Sequence, residues 1–126
     1  MAKRQKRIYL ATPYTGTEKQ QQDREDLVSR IAAEIMLETG YAVFSPISSS
    51  HSIAKYLPES TENWDFWMKQ DLPFLAVCDE LWVVMTDGTE ESVGVRGEIQ
   101  FATNNGMPVR LVLKNDDGTI TITESN

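Results

Sequence analysis

Several residue types and patterns are scarce in this sequence, and each scarcity excludes a class of protein. The 126 residues contain one cysteine, Cys78, so no disulfide can form within the chain, which fits a reducing compartment. No apolar run approaches the roughly 18 residues that a membrane-spanning helix needs. The formal net charge of -7 disfavours a nucleic-acid-binding surface, because such surfaces neutralise phosphates. We therefore expect a cytoplasmic protein without membrane or nucleic-acid partners.

The length and composition fit one packed domain. Hydrophobic residues make up 40% of the chain and charged residues 25%, so we expect residues 1–126 to share one core. The one basic cluster lies at the start and consists of Lys3, Arg4, Lys6 and Arg7. It leads straight into a short strand-like run, which does not fit a signal peptide. We interpret residues 1–6 as a solvated basic tail and not as a binding arm.

Apolar periodicity alternates between strands and helices. Strands are predicted over 7–11, 41–44, 80–85, 108–113 and 118–123. Helices are predicted over the apolar positions from Leu27 to Met36, with Gly40 as the cap, over 63–76 and over 92–105. A serine-rich loop is expected from Pro46 to about Thr61. This order predicts a flavodoxin-like three-layer α/β/α sandwich with a mainly parallel five-stranded sheet.

In such folds ligands bind beyond the carboxyl ends of the strands. That rule directs attention to segments 12–17, 45–51 and 87–98 and to the loop after the fourth strand. In segment 87–98, Ser92 stands where a hydroxyl and free helix amides could meet a phosphate, and Gly94 and Gly97 allow close approach. Glu98 follows in the first turns. From spacing alone, structural roles are favoured over functional ones, with Ser92 as a helix cap and Glu98 as a solvated helix carboxylate.

Three other features carry candidate functional residues. Asp71 follows Trp64 and Trp67 on the second predicted helix, and a functional residue and an exposed surface aspartate are equally consistent with its place. For the two tryptophans, a role in the core or an interface is favoured over a base-stacking platform. The hydroxyl of Tyr9, in the first strand, could hold a carboxylate in position, and ordinary packing is the alternative. Candidate ligand contacts at the strand ends are Thr12, Pro13, Tyr14, Ser45 and His51. His51 is the only histidine and has no cysteine partners, so we expect no metal site.

Taken together, these segments resemble the nucleoside 2-deoxyribosyltransferase superfamily, and in particular its 2'-deoxynucleoside 5'-monophosphate N-hydrolase branch. The most specific part is Ser-x-Gly-x-x-x-Glu, which Ser92, Gly94 and Glu98 meet. The stretch Ser-Pro-Ile-Ser-Ser-Ser-His, with the later Trp-x-x-Trp and Cys-Asp-Glu-Leu-Trp, also looks like a phage and bacterial family of uncharacterised proteins. The pair Arg96-Gly97 departs from the small–aromatic pair that usually precedes the glutamate.

The resemblance implies a role for each matching residue. It makes Glu98 the nucleophile at the anomeric carbon, Asp71 the group that assists the departing base, and Tyr9 the residue that orients the carboxylate. It makes Ser92 a ligand of a 5'-phosphate. It also implies the flavodoxin-like fold, a deoxynucleoside or deoxynucleotide substrate, no cofactor, and a homodimer or larger homo-oligomer.

The sequence leaves several functions open. Water or a second base could complete the reaction, so a hydrolase and a transferase are both consistent with it. The same fold also serves a non-catalytic nucleotide or ADP-ribose-type binding module, because one scaffold hosts many functions. An inactive structural member is the third alternative.

Overall fold

A five-stranded sheet forms the centre of the protein. The structure is a computed structural model that describes residues 5–14, 16–61 and 63–124. The strands are β1 (Arg7–Ala11), β2 (Ala42–Phe44), β3 (Glu80–Val84), β4 (Val109–Lys114) and β5 (Ile120–Glu124). Their order is β2-β1-β3-β4-β5, with β1 to β4 parallel and β5 antiparallel to β4. The predicted mainly parallel sheet is confirmed.

Helices cover both faces of this sheet. They are α1 (Glu18–Thr39), α2 (Pro46–Ala54), α3 (Trp64–Ala76) and α4 (Val93–Asn104). Alternate strand residues separate two cores: Ile8 and Leu10 pack against α1, whereas Tyr9 and Ala11 pack on the side of α3 and α4. The predicted flavodoxin-like three-layer sandwich is confirmed. Within the described ranges, no helix combines the length and the apolarity that crossing a membrane requires.

Helix α1 is longer than its apolar positions alone predict. It begins at Glu18 because Thr17 and Gln20 form a capping box, in which each side chain bonds the other's backbone N–H at 3.2 and 2.8 Å. It ends as predicted at Gly40, whose φ of 71° lies in the left-handed region. Its long amino-terminal extension brings polar residues of α1 to the carboxyl end of the sheet.

The serine-rich segment after β2 is a helix, so the prediction of a loop is wrong over Pro46–Ala54. Ser45 is the N-cap and its hydroxyl accepts from Ser48 N, while Pro46 occupies the first turn, where its missing N–H is not needed. Ile47 packs against the α1 side of the core. His51 lies one turn further along the same helix and not in a loop.

The basic residues before β1 are partly integrated into the fold. Lys6 Nζ lies 2.8 Å from Glu80 Oε2, so the interpretation as a solvated tail does not hold for Lys6. Arg7 belongs to β1, and its N–H donates to Asp79 Oδ2 at 2.8 Å. Lys3 and Arg4 lie outside the described residues.

Candidate active site

A cavity of about 760 Å³ opens at the carboxyl ends of β1, β2 and β3. The connections after β1 and β3 run to opposite faces of the sheet, and ligands of doubly wound folds bind at such a point. Predicted segments 12–17, 45–51 and 87–98 all contribute to its wall, and α3 adds a further side. The loop after β4 contributes none of the lining residues.

Glu98 is a buried carboxyl that still borders the cavity. It lies in the second turn of α4, on the same face as Val95 and Ala102, and it is 5% exposed. The fully buried Tyr9 of β1 donates its hydroxyl hydrogen to Glu98 Oε2. The alternative of a solvated helix carboxylate is therefore excluded, and Glu98 is held in place from the sheet beneath it.

The surroundings of Glu98 raise its pKa to about 8. Burial is the largest cause, because it disfavours the charged form, and the nearby Asp71 charge acts in the same direction. The hydrogen bond from Tyr9 opposes them by stabilising the carboxylate. Burial also raises the pKa of Tyr9, so its hydroxyl keeps its hydrogen at neutral pH and remains a donor.

Asp71 faces the same cavity from α3. Trp64, Trp67, Met68 and Asp71 all line the cavity, and the α-helical spacing of these positions places them on one face of α3. Asp71 is half-buried, and burial raises its pKa to about 6. The cavity thus brings two carboxyls together, each with a raised pKa.

Ser92 serves the helix and also borders the cavity. Its hydroxyl accepts from Val95 N at 3.2 Å and caps α4, which is the structural role that the sequence predicted for it. It nevertheless lines the cavity together with Gly94. The nearest atom to a Cβ built on Gly94 is Ser92 Oγ, at 3.9 Å, so space beside the cap is open.

The segment after β1 forms another side of the cavity with α2. Thr12, Pro13, Tyr14 and His51 all line it. The Tyr14 hydroxyl and His51 Nδ1 share a hydrogen bond of 2.5 Å, which links this segment to α2. The Thr12 hydroxyl is buried and has no hydrogen-bond partner among the described residues.

Ser45 is the predicted contact that the cavity does not include. It is buried, and its hydroxyl is engaged with Ser48 at the start of α2. Its place as a ligand contact stays a prediction, and the contacts seen are those of a helix cap.

Comparison with known proteins defines the family. Residues 6–114 match a family described as a domain of unknown function, DUF1937. The chain belongs to this family. Its fold resembles that of a 2-deoxyribosyltransferase from the psychrotolerant bacterium Bacillus psychrosaccharolyticus, with a TM-score of 0.59 and 24% identity over 87% of this chain and 74% of that chain. At this identity the likeness establishes the fold alone. No curated protein matches the sequence.

This DUF1937 chain therefore has the fold that the sequence resemblance implied, and it falls in a family without an assigned function, as the resemblance to uncharacterised proteins suggested. The identity of the fold does not assign a role to any side chain. Those roles depend on the geometry of the cavity.

Arg24 is a cavity residue that the sequence reasoning missed. Its guanidinium donates to the Asp87 carbonyl at 3.1 Å, and it lies beside Gly88 and Gly16, 3.0 and 3.2 Å from Cβ atoms built on them. A signal was present, because Arg24 stands one turn before the buried Val28 on the inner stripe of α1. A charge on that stripe indicates a polar site at the edge of the core.

The ionisable side chains that line the cavity are few. They are those of Tyr14, Arg24, His51, Asp71, Glu91 and Glu98. In the parts of the chain that the structure describes, no three His, Cys, Asp or Glu residues are grouped closely enough to hold a metal ion.

Proposed function

We propose that this DUF1937 protein cleaves or transfers the N-glycosidic bond of a 2'-deoxynucleoside or its 5'-monophosphate. The observation that carries the proposal is the pair of carboxyls, Glu98 and Asp71, at one cavity, with Glu98 held by Tyr9. The volume of about 760 Å³ suits a ligand of nucleoside size. The likeness of the fold to a 2-deoxyribosyltransferase supports the same reaction class.

Glu98 acts as the nucleophile in this proposal. A carboxylate oxygen of Glu98 attacks C1' of the deoxyribose, the C1'–N bond breaks, and its electron pair passes to the base nitrogen. The hydroxyl of Tyr9 donates to Oε2 of Glu98, which fixes the rotation of the carboxyl and lowers the energy of its charged form. Tyr9 is thus a positioning residue.

Asp71 acts as the acid that assists the departing base. Burial raises the pKa of this carboxyl, which retains its proton to higher pH than an ordinary aspartic acid. The proton passes from Asp71 to the base as the bond breaks. The Asp71 carboxylate then accepts a proton from the water or base that attacks C1' and releases Glu98.

The start of α4 receives the 5' end of the substrate. Ser92 and Gly94 border the cavity there, and the first amides of a helix attract negative charge. Arg24 adds a positive charge on the same side of the cavity, beside Gly88. A 5'-phosphate and a free 5'-hydroxyl both fit this proposal. Water and a second base both fit it as acceptors of the deoxyribosyl group.

We also propose that the protein forms a homo-oligomer, following the resemblance.

The test is the release of free base from a panel of deoxynucleosides and deoxynucleoside monophosphates, with and without an acceptor base. Glu98→Gln keeps an acceptor for the Tyr9 hydroxyl but cannot attack C1', so we expect its kcat to fall about a thousandfold or more. Glu90→Gln removes an exposed carboxyl from the same segment, outside the cavity lining, and serves as the matched control.

The outcomes separate the alternatives. Base release without an acceptor identifies a hydrolase, and product only with an acceptor identifies a transferase. Turnover retained in Glu98→Gln contradicts the role of Glu98. Ligand binding by the wild-type chain with no product in any mixture supports the binding module instead.

A further inference from the structure

One hydroxyl in the wall of the cavity is buried and yet makes no hydrogen bond. Thr12 directly follows β1, lines the cavity and is 5% exposed. Of the buried side-chain nitrogen and oxygen atoms in the described ranges, Thr12 Oγ1 alone has no hydrogen-bond partner. Buried polar groups in folded proteins are nearly always paired, because leaving one unpaired costs stability. An unpaired, buried hydroxyl beside a cavity therefore indicates that a ligand atom occupies this point.

Three other hydroxyls of the cavity wall have partners within the protein. The Tyr14 hydroxyl shares a hydrogen bond with α2, and the Thr61 hydroxyl donates to the Pro58 carbonyl at 2.7 Å. The Ser92 hydroxyl caps α4. Each of these hydroxyls has a structural contact, and Thr12 has none.

The chain around Thr12 restricts where its hydroxyl can lie. Pro13 follows, and the residue before a proline is biased towards extended conformations, so Thr12 continues the direction of β1. The side chain of a threonine is stiff because it branches at Cβ. Little conformational entropy is therefore lost when a ligand binds this hydroxyl.

Thr12 lies at the end of the strand that holds the proposed nucleophile. It stands three residues after Tyr9, whose hydroxyl donates to Glu98, and three residues span about 10 Å of extended chain. In the proposed reaction, C1' of the deoxyribose lies at Glu98, the base points to Asp71, and the 5' end lies at the start of α4. The remaining hydroxyl of a 2'-deoxyribose is the one at C3', and none of these groups receives it.

We propose that Thr12 binds the 3'-hydroxyl of the deoxyribose and makes the site selective for substrates that carry it. The inference rests on the proposed function, which sets the direction of the sugar. A threonine hydroxyl can donate one hydrogen bond and accept another, and so can the hydroxyl of an alcohol. A substrate without the 3'-hydroxyl leaves Thr12 Oγ1 buried and unpaired, and a site built around a hydrogen bond rejects such an analogue.

Steady-state kinetics with a 2'-deoxynucleoside substrate and its 2',3'-dideoxy analogue test the inference. In the wild-type chain, we expect kcat/KM for the deoxy substrate to exceed that for the analogue about tenfold or more. Thr12→Val keeps the shape of the side chain without the hydroxyl, and we expect it to lower this ratio about tenfold. Thr12→Ser keeps the hydroxyl and most of the ratio. Intrinsic differences in reactivity between the two substrates cancel when the ratio is compared between chains.

Thr61→Val is the matched control for these measurements. It also removes a threonine hydroxyl from the cavity wall, but one that is bonded within the protein. We expect it to keep the ratio of the wild-type chain. A ratio that is unchanged in Thr12→Val, or that falls equally in Thr61→Val, overturns the inference.

The stability of the ligand-free chain gives a second readout. Thr12→Val replaces an unpaired buried hydroxyl by a methyl group, so we expect a melting temperature equal to or higher than that of the wild-type chain. A lower melting temperature would show that the hydroxyl has a partner within the protein, and the inference would be wrong.

A binding measurement distinguishes failure of the inference from failure of the proposed function. Calorimetric titration of Glu98→Gln, with and without Thr12→Val, uses thymidine 5'-monophosphate and its 2',3'-dideoxy analogue and needs no turnover. If the deoxy form binds about tenfold more tightly and Thr12→Val removes the difference, the inference holds even when the wild-type chain releases no base. No binding of either nucleotide overturns the inference. A difference that persists in Thr12→Val, with base release by the wild-type chain, overturns it and leaves the proposed function standing.

Discussion

At the scale of single residues, the two carboxyls of the cavity titrate in the opposite order to their proposed roles. Burial raises the pKa of Asp71 to about 6, and burial together with the Asp71 charge raises that of Glu98 to about 8. Near neutral pH the free site therefore carries mostly ionised Asp71 and protonated Glu98. The proposed reaction needs the reverse distribution, with the proton on Asp71 and with Glu98 ionised.

This order predicts the pH dependence of base release. In the wild-type chain, kcat/KM rises as pH passes about 6, is highest between the two pKa values and falls above about 8, because the reactive form holds one proton. Of the two reacting carboxyls, Asp71→Asn leaves only Glu98 to titrate. Its kcat/KM is lower overall but rises with pH and does not fall at about pH 9. Assays of free base across this range measure both profiles.

A carboxyl at the edge of the same cavity supplies the control for this comparison. Glu91 lines the cavity but is exposed, and Glu91→Gln should keep the profile of the wild-type chain. A fall at alkaline pH that persists in Asp71→Asn would show that another group donates the proton.

At the scale of elements, the sequence predicts the strands and helices that have a regular apolar spacing. It misses features that depend on contacts with other elements. Buried strands and α4 follow from their apolar spacing. Helix α2 was missed because its serines obscure the inner positions Ile47, His51 and Ala54, although Ser45-Pro46 is a regular helix start.

The contacts of the site are a different matter. Tyr9 and Glu98 are 89 residues apart, and only the folded sheet brings the hydroxyl to the carboxyl. Spacing could not tell a solvated Glu98 from a buried one, so the roles of these residues came from the resemblance. Likewise, the cavity position of Trp64 and Trp67 depends on how α3 packs on α4 at Gly97.

Because α3 and α4 are in contact at Gly97, we expect Gly97→Ala to impair activity without lowering stability. In a helix interior, alanine is more stabilising than glycine by about 0.5–1 kcal/mol. Its Cβ, however, would lie 3.1 and 3.2 Å from two atoms of the Trp64 indole, which is half-exposed and can move outward by a few tenths of an ångström. We expect an equal or higher melting temperature and, on the proposed function, a higher KM for base release.

The same helix provides the control. Thr103→Ala also raises helix propensity, on an exposed position of α4 outside the cavity lining, and should leave KM unchanged. If Gly97→Ala has the KM of the wild-type chain for purine and pyrimidine substrates, the prediction is wrong, and the position of Trp64 does not affect substrate binding.

At the scale of the whole molecule, the two ends of the sheet carry opposite kinds of buried carboxyl. Glu80 begins β3 at the end remote from the cavity, where Lys6 Nζ lies 2.8 Å and Arg110 Nε 2.7 Å from its oxygens. The Trp82 indole donates to it at 2.9 Å. Burial alone would raise the pKa of Glu80, but these hydrogen bonds outweigh it and lower the pKa to about 2. This carboxylate joins the start of β1 to β3 and β4.

The contrast predicts opposite effects of two Glu→Gln substitutions on stability. Because the pKa of Glu80 falls from 4.5 to about 2 on folding, its contribution is present above pH 4.5 and is lost as pH falls towards 2. Glu80→Gln should therefore lower the free energy of unfolding by about 2 kcal/mol near neutral pH and leave base release unchanged. Urea unfolding at several pH values measures the difference.

Glu98 behaves in the opposite way because its pKa is raised from 4.5 to about 8 on folding. Between these values the unfolded chain releases a proton that the folded chain keeps, so stability falls as pH rises. Glu98→Gln removes this penalty and should be more stable than the wild-type chain by about 4 kcal/mol near pH 8, with little difference near pH 4.5. Equal stability of both chains at pH 8 would contradict the buried, uncharged state of Glu98. A gain in stability together with loss of base release would identify Glu98 as a carboxyl whose burial serves the reaction at the expense of the fold.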